Sequence, residues 1–175
     1  MKSASIQELK QELITLPPKK VLELCLKLTK FKKENKELLN YLLFEADNEQ
    51  GYVESIKLEM EEQFAALPRA NWYLAKKGLR KILRSISKYS KHTATKESEV
   101  EMLLHFCSNL KNSGIRYRSY KALSSLYESQ LKKLNTLIEQ VHDDLRFDYK
   151  RQLAGLLDDE DLPLVEKLGK MVRGR

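Results

Sequence analysis

The apolar residues of this chain recur three and four positions apart along almost its whole length, which is the spacing of one face of an α-helix. Glycine and proline, which interrupt helices, are scarce, because the 175 residues include only six Gly and four Pro. No alternating apolar and polar pattern of useful length predicts a strand. We therefore predict an all-α protein of six or seven antiparallel helices, arranged as an irregular α-solenoid-like stack or, alternatively, as a compact multi-helix bundle.

Capping residues and prolines predict where several helices begin and end. Ser5 and Glu8 have the spacing of a capping box at the start of the first helix. Two consecutive prolines stop that helix, and Pro18 is suited to the first position of the next one. Ser98 and Glu101 repeat the capping-box spacing and predict the start of a later helix.

The longest continuous pattern lies in the C-terminal half and favours one long helix. Its apolar residues alternate steps of four and three: Tyr127, Leu131, Leu134, Ile138, Val141 and Leu145. Such a seam suits a nearly antiparallel neighbouring helix or a second copy of the chain. We expect the seam to pack within the chain, so a monomer is favoured over a homodimer.

Length and composition are typical of one globular domain. Of the 175 residues, 42% are hydrophobic, so the chain can bury a core of its own. We assign residues 1–155 to a single helical domain and residues 156–175 to an acidic turn and a short, loosely packed C-terminal helix.

The N-terminus lacks a signal pattern, and the cluster LLNYLLF is too short to span a membrane. We therefore expect a cytoplasmic protein with no membrane partner.

Residues that carry catalysis or hold metals are sparse and poorly spaced for either task. Cys25 and Cys107 fall on apolar helix faces and are predicted to be buried free thiols. Glu139 and His142 form only one of the two E-x-x-H pairs that a di-iron bundle needs. No nucleophile lies in a glycine-flanked turn, and no phosphate-cradling glycine loop occurs. We predict no catalytic residues, no metal site and no cofactor.

A second Glu–His spacing suggests a metal site, but again we predict none. Glu101 and His105 are four residues apart on a predicted helix. Both lie off its apolar stripe, so we expect them to face water rather than a shared metal ion.

The segment that begins at Asn71, NWYLAKKGLRKILRSISKYSKH, carries the clearest functional signal. No acidic residue occurs between Gln63 and Lys96, whereas nine Lys and Arg do. On a helix, its apolar residues, including Trp72, fall on one side and the cations on the other. We therefore assign Trp72 to the core, and we assign the nearby Tyr117 and Tyr120 to packing.

Two explanations of the basic helix face remain open. Glutamates of neighbouring helices could balance it within the fold, the nearest being Glu54, Glu59, Glu61 and Glu62. Alternatively, the face binds an anionic partner, with nucleic acid first and an acidic protein second. The candidate polyanion-binding residues are then Lys77, Arg80, Lys81, Arg84, Lys88 and Lys91. They would contact phosphates mainly, because no separate base-reading element is evident.

The stretches ELKQELITLPPKKVLELCLKLTKFKKENKELLNYLLFEA and NWYLAKKGLRKIL resemble an uncharacterised bacterial family of small helical proteins. The resemblance covers about residues 4 to 115. It implies a helical fold and a bacterial cytoplasm, and it supplies no activity or catalytic residue. The leading hypothesis is therefore a non-enzymatic helical interaction or scaffold module with an unknown protein partner. The alternative is nucleic-acid binding through the basic helix face of residues 76–91.

Overall fold

A computed structural model describes residues 3–157 and confirms the all-α class, since these residues contain helices and no strand. Eight α-helices are present in this range, rather than the predicted six or seven. They are α1 (Ile6–Thr15), α2 (Pro18–Phe31), α3 (Lys33–Phe44), α4 (Glu49–Ala65), α5 (Trp72–Thr93), α6 (Lys96–Asn112), α7 (Lys121–Ile138) and α8 (Asp143–Leu156). Two short 3-10 turns, Ala46–Asn48 and Tyr117–Ser119, lie between helices.

The chain divides into two compact units, of which the first ends at Asp47 and the second begins at Asn48. The first unit contains α1 to α3, and the second contains α4 to α8. The assignment of residues 1–155 to a single helical domain stays a prediction. The predicted C-terminal helix falls within residues 158–175, which lie outside the described residues.

The first unit confirms the predicted helix ends but buries few side chains. Glu8 Oε2 accepts a hydrogen bond from Ser5 N at 2.6 Å, and Ser5 Oγ accepts one from Glu8 N at 3.2 Å, which completes the capping box. Pro18 occupies the first turn of α2, where its missing N–H costs nothing. Helix α2 packs against α3, yet Tyr41 is the only buried residue among the described part of this unit.

The second unit is built around α6. Helices α4, α5, α7 and α8 all pack against it, and no residue between Glu97 and Lys111 is exposed. Its buried apolar residues are Val100, Met102, Leu103, Leu104, Phe106, Cys107 and Leu110. In a solenoid each helical repeat contacts only its neighbours. The arrangement around α6 therefore corresponds to the compact-bundle alternative within this unit.

The predicted long C-terminal helix is wrong, because it is broken into α7 and α8. Tyr127, Leu131, Leu134 and Ile138 on α7 are buried against the same chain, as predicted for packing within the chain. Val141 is buried in the link, whereas Leu145 on α8 is 41% exposed.

Local polar chemistry explains the break. Asp143 and Asp144 lie in the first turn of α8, where carboxylates complement the helix dipole. Arg146 Nη2 donates hydrogen bonds to the backbone oxygens of Glu139 and Val141, each at 3.2 Å. These bonds satisfy two backbone carbonyls in the link that follows α7.

The second predicted capping box is also wrong. Helix α6 begins at Lys96, with Thr95 at the N-cap and Ser98 already inside the first turn. Ser98 is buried, and its hydroxyl, like that of Thr95, donates a hydrogen bond to the Glu49 carboxylate. These bonds join the first turn of α4 to that of α6, which is a long-range contact that local spacing does not indicate.

Candidate polyanion-binding surface

Helix α5 presents one face to the core and the opposite face to solvent. Asn71 caps its first turn, since Asn71 Oδ1 accepts hydrogen bonds from the backbone N–H groups of Tyr73 and Leu74, both at 3.1 Å. The predicted core face is confirmed at Ala75, Leu79, Ile82 and Ile86, all buried. This apolar face fixes the rotation of α5 and turns its cations outward.

The six predicted binding residues, hereafter the basic face, occupy the outer side of α5. Five of them are exposed: Lys77, Arg80, Lys81, Arg84 and Lys91. Lys88 is half-buried, and its Nζ lies 4.4 Å from the centre of the Tyr89 ring. The six predicted residues therefore lie on one side of the helix. Lys88 differs from the other five because its ammonium group contacts the Tyr89 ring.

The five exposed cations have no ion pair or hydrogen bond with any residue among 3–157. Three of the four glutamates expected to balance them have other partners. Glu54 Oε1 lies 2.7 Å from Lys57 Nζ, and Glu61 Oε1 lies 3.1 Å from His105 Nε2. Glu59 accepts hydrogen bonds from Gln63 Nε2 at 2.8 Å and from the Tyr89 hydroxyl at 3.2 Å. Contacts with α4 therefore do not neutralise the exposed cations.

The aromatic residues near the start of α5 differ from the prediction. Trp72 is 38% exposed rather than buried, and it stacks on Tyr120 with ring centres 5.3 Å apart and an interplanar angle of 18°. The Tyr73 ring meets Trp72 edge to face at 6.1 Å. Tyr117 is buried against Tyr127, as predicted, with ring centres 4.8 Å apart. Tyr120 is partly exposed and supports Trp72 instead of joining the seam of α7.

Tyr73 shares a groove with the cations of α5. The groove has a volume of about 500 Å³, and its described lining residues all belong to this helix: Tyr73, Lys76, Lys77, Arg80, Leu83 and Arg84. The sequence contained the signal for this placement, because Tyr73 precedes Lys77, Arg80 and Arg84 by four, seven and eleven residues. These intervals place all four side chains on one side of a helix.

A second pocket, of about 580 Å³, lies where α4, α6 and α8 meet. Glu101 and His105 line it, and both are half-buried there. Lys57 Nζ donates to Glu101 Oε2 at 2.8 Å, and the Tyr149 hydroxyl donates to Glu101 Oε1 at 3.3 Å. Both acceptor oxygens of Glu101 are thus used by its neighbours.

Two side chains that line this pocket have raised pKa values. Burial and the nearby Glu101 charge raise the pKa of Tyr149 to about 12. Burial acts to lower the pKa of Lys57, but its hydrogen bonds to Glu101 and Glu54 outweigh burial and raise that pKa. The Tyr149 hydroxyl and the Lys57 ammonium therefore both keep their protons at neutral pH, which is typical of a structural network.

The remaining candidate chemistry is also accounted for by local contacts. Glu139 Oε1 lies 2.7 Å from Lys150 Nζ, while His142 accepts the Asp144 N–H as the N-cap of α8. Among residues 3–157, no three His, Cys, Asp or Glu side chains form a group suited to a metal ion. Burial raises the pKa of the Cys107 thiol to about 12, whereas Cys25 is only half-buried.

Comparisons with known proteins give no family, since no family model, no curated protein and no solved structure matches the chain. Among the described helices, none is both long and apolar enough to cross a membrane.

Proposed function

We propose that this chain is a non-enzymatic helical interaction module that binds nucleic acid, as a polyanion, through the basic face of α5. The observation that carries the proposal is the set of five exposed cations without ion pairs among the described residues. Like charges four residues apart on a helix repel by a few tenths of a kcal/mol per pair, roughly. Lys77 with Lys81, and Arg80 with Arg84, are two such pairs. Bound phosphates would remove this repulsion.

The dimensions of the basic face suit several consecutive phosphates. From Lys77 to Lys91 the helix rises about 21 Å, at roughly 1.5 Å per residue. Long, flexible Lys side chains and forked Arg side chains both bind phosphate oxygens well. Phosphate contacts carry little sequence information, so binding should depend weakly on sequence and strongly on salt.

The test is an electrophoretic shift or polarisation titration with mixed RNA and duplex DNA at low salt. The basic-face triple variant combines Lys77→Glu, Arg80→Glu and Arg84→Glu. It should abolish binding while keeping the helical circular dichroism spectrum, because none of the three residues lies on the buried side of α5. No shift of the unmodified chain at tens of micromolar, where even non-specific binders are detected at roughly 10⁻⁴–10⁻⁶ M, would refute the proposal.

A matched control separates a specific surface from net charge. The control triple variant carries Lys10→Glu, Lys30→Glu and Lys36→Glu, three exposed lysines of the first unit. Both triple variants lower the formal net charge from +7 to +1. If the control loses binding as fully as the basic-face variant, total charge governs binding and the assignment to α5 is wrong.

A second candidate function, docking of a protein partner, is supported by the first unit. Several large apolar side chains of α2 and α3 are exposed: Leu22, Leu26, Leu28, Phe31, Leu42, Leu43 and Phe44. A groove of about 310 Å³ between these helices is lined mainly by Cys25, Leu28, Leu38, Leu39 and Leu42. Exposed apolar grooves of this kind receive an amphipathic helix of another protein.

This second candidate has its own variant. Leu28→Asp places a charge in the groove and should remove cross-links to any protein partner in cells while leaving nucleic-acid binding unchanged. Cross-links that persist unchanged in the variant would exclude the groove as the docking site.

We further propose that the chain acts in the cytoplasm as a monomer. The seam of α7, which suits a helical dimer, is used within the chain. Light scattering at micromolar concentration should give a mass near 20.5 kDa. A mass near twice that value would contradict this part of the proposal.

A further inference from the structure

We infer that the basic face prefers single-stranded nucleic acid, with an unpaired base stacked on the ring of Tyr73. This inference rests on the proposed function and adds to it the kind of nucleic acid. Proteins that bind single strands combine a positively charged groove with aromatic rings on which bases stack. The groove along α5 contains both, since the Tyr73 ring lines it together with Lys76, Lys77, Arg80 and Arg84.

The Tyr73 side chain is free to meet a ligand. It is 64% exposed, and its hydroxyl has no hydrogen-bond partner among the described residues. A tyrosine that serves packing is generally buried along its ring and satisfied at its hydroxyl, as Tyr127 is here, with its hydroxyl 3.0 Å from Leu156 O. Core packing therefore does not explain Tyr73.

The Tyr73 ring has an aromatic neighbour, and its backbone is capped. Trp72 lies edge to face with it, and Trp72 is itself stacked on Tyr120. The backbone of Tyr73 is in the first turn of α5, fixed by the hydrogen bond from its N–H to Asn71 Oδ1. A tyrosine side chain has only two χ angles, so it loses little conformational entropy when a base stacks on its ring.

The position of the ring relative to the cations selects single strands. Tyr73 lies one turn before Lys77 and two turns before Arg80 on the same helix side. A strand whose phosphates follow these cations can turn an unpaired base onto the ring. In a duplex the bases are already stacked on one another, so no base face is free to stack on the Tyr73 ring.

The test compares a fluorescein-labelled oligothymidylate with a duplex of the same length, at one low salt concentration. Tyr73→Ala should weaken binding of the oligothymidylate by about 5- to 150-fold, the loss expected for one base–aromatic stack. Binding of the duplex should change less than about twofold. Tyr73→Phe, which keeps the ring, should bind both probes like the unmodified chain.

Phe147→Ala is the matched control, because Phe147 is an exposed aromatic residue of α8 outside this groove. It should leave both affinities unchanged. Trp72 provides an independent readout, since it is the single Trp of the sequence and its ring contacts that of Tyr73. Its fluorescence should change on adding oligothymidylate and stay constant on adding the duplex.

The outcomes distinguish this inference from the proposed function. Binding of neither probe overturns both. If the basic-face triple variant abolishes binding while Tyr73→Ala changes neither affinity, the phosphate-binding function holds and base stacking is wrong. An equal loss for both probes in Tyr73→Ala also overturns the stacking inference.

Discussion

Raising the salt concentration should weaken nucleic-acid binding by an amount set by the number of unpaired cations on α5. Each neutralised phosphate releases condensed counterions, so log affinity falls linearly with log salt, by roughly 0.9 per contact for duplex DNA and 0.7 for single strands. The structure provides five exposed cations without partners among residues 3–157, while Lys88 lies against the Tyr89 ring.

Five contacts give slopes of about −4.5 for duplex DNA and about −3.5 for a single strand. Between 50 and 200 mM salt, a fourfold change, affinity should therefore fall about 500-fold for duplex and about 130-fold for single strands. Neutralising two contacts by Arg80→Gln and Arg84→Gln should reduce the duplex slope to about −2.7. Lys88→Gln should change the slope less than either arginine substitution, because Lys88 is already engaged.

The assay is fluorescence polarisation with one labelled probe at four or more salt concentrations, which yields slope and affinity separately. A slope unchanged by the double arginine substitution would show that the phosphates bind elsewhere. A slope near zero for the unmodified chain would mean that binding is not electrostatic, which would refute the reasoning from unpaired cations altogether.

Three further predictions concern stability and thiol chemistry. Ala94 ends α5 in the left-handed region, with φ of 58°, where glycine is less strained than alanine. Ala94→Gly should therefore raise the unfolding free energy, measured by urea titration, by about 0.5–1 kcal/mol. Ala66→Gly is the control and should lower that free energy, because Ala66 has φ of −79°. In the native chain a thiol reagent should label Cys25 quickly and Cys107 only after unfolding, with Cys25→Ser removing the fast phase. Burial raises the pKa of Cys107 to about 12 from 9.0, so above pH 9 the unfolded chain loses this proton first. The unfolding free energy should then fall by up to about 1.4 kcal/mol per pH unit, and Cys107→Ala should reduce that slope.

The helices of this fold could be predicted from the sequence because each depends on local information. The buried residues of α5 and the capping box of α1 follow from intervals of three and four residues and from adjacent polar side chains. The cationic side of α5 was predictable for the same reason. The apolar residues on the opposite side of α5 are buried in the core, so the helix can have only one rotation about its axis, with the cations facing outward.

The errors occur where distant residues decide the outcome. Ser98 was interpreted as a cap from its spacing to Glu101, but Ser98 bonds to Glu49 and Glu101 bonds to Lys57 and Tyr149. Partners more than forty residues away are invisible to a local pattern. The break between α7 and α8 was missed because the apolar steps continue through it while the polar residues end the helix.

The aromatic part of the candidate site could not be predicted from the sequence, because it also depends on residues from another helix. Helical spacing placed Trp72 on the apolar side, but the first turn of a helix can extend beyond the core that its later turns bury. Trp72 lies in this first turn. It is covered in part by Tyr120, the residue that precedes α7. Helical spacing alone therefore predicts packing for both residues and gives no sign that the neighbouring Tyr73 ring is exposed beside them.

The burial of α6 on every side has a consequence for how this protein can change during evolution. Substitutions between Glu97 and Lys111 disturb contacts with four other helices, so stability restricts nearly every position of that segment. On helix α5 the two demands fall on different faces, because its inner residues maintain the core while five outer cations form no ion pair or hydrogen bond within residues 3–157. Ligand preference can therefore shift by changes at a few outer positions of α5 while the fold is inherited unaltered.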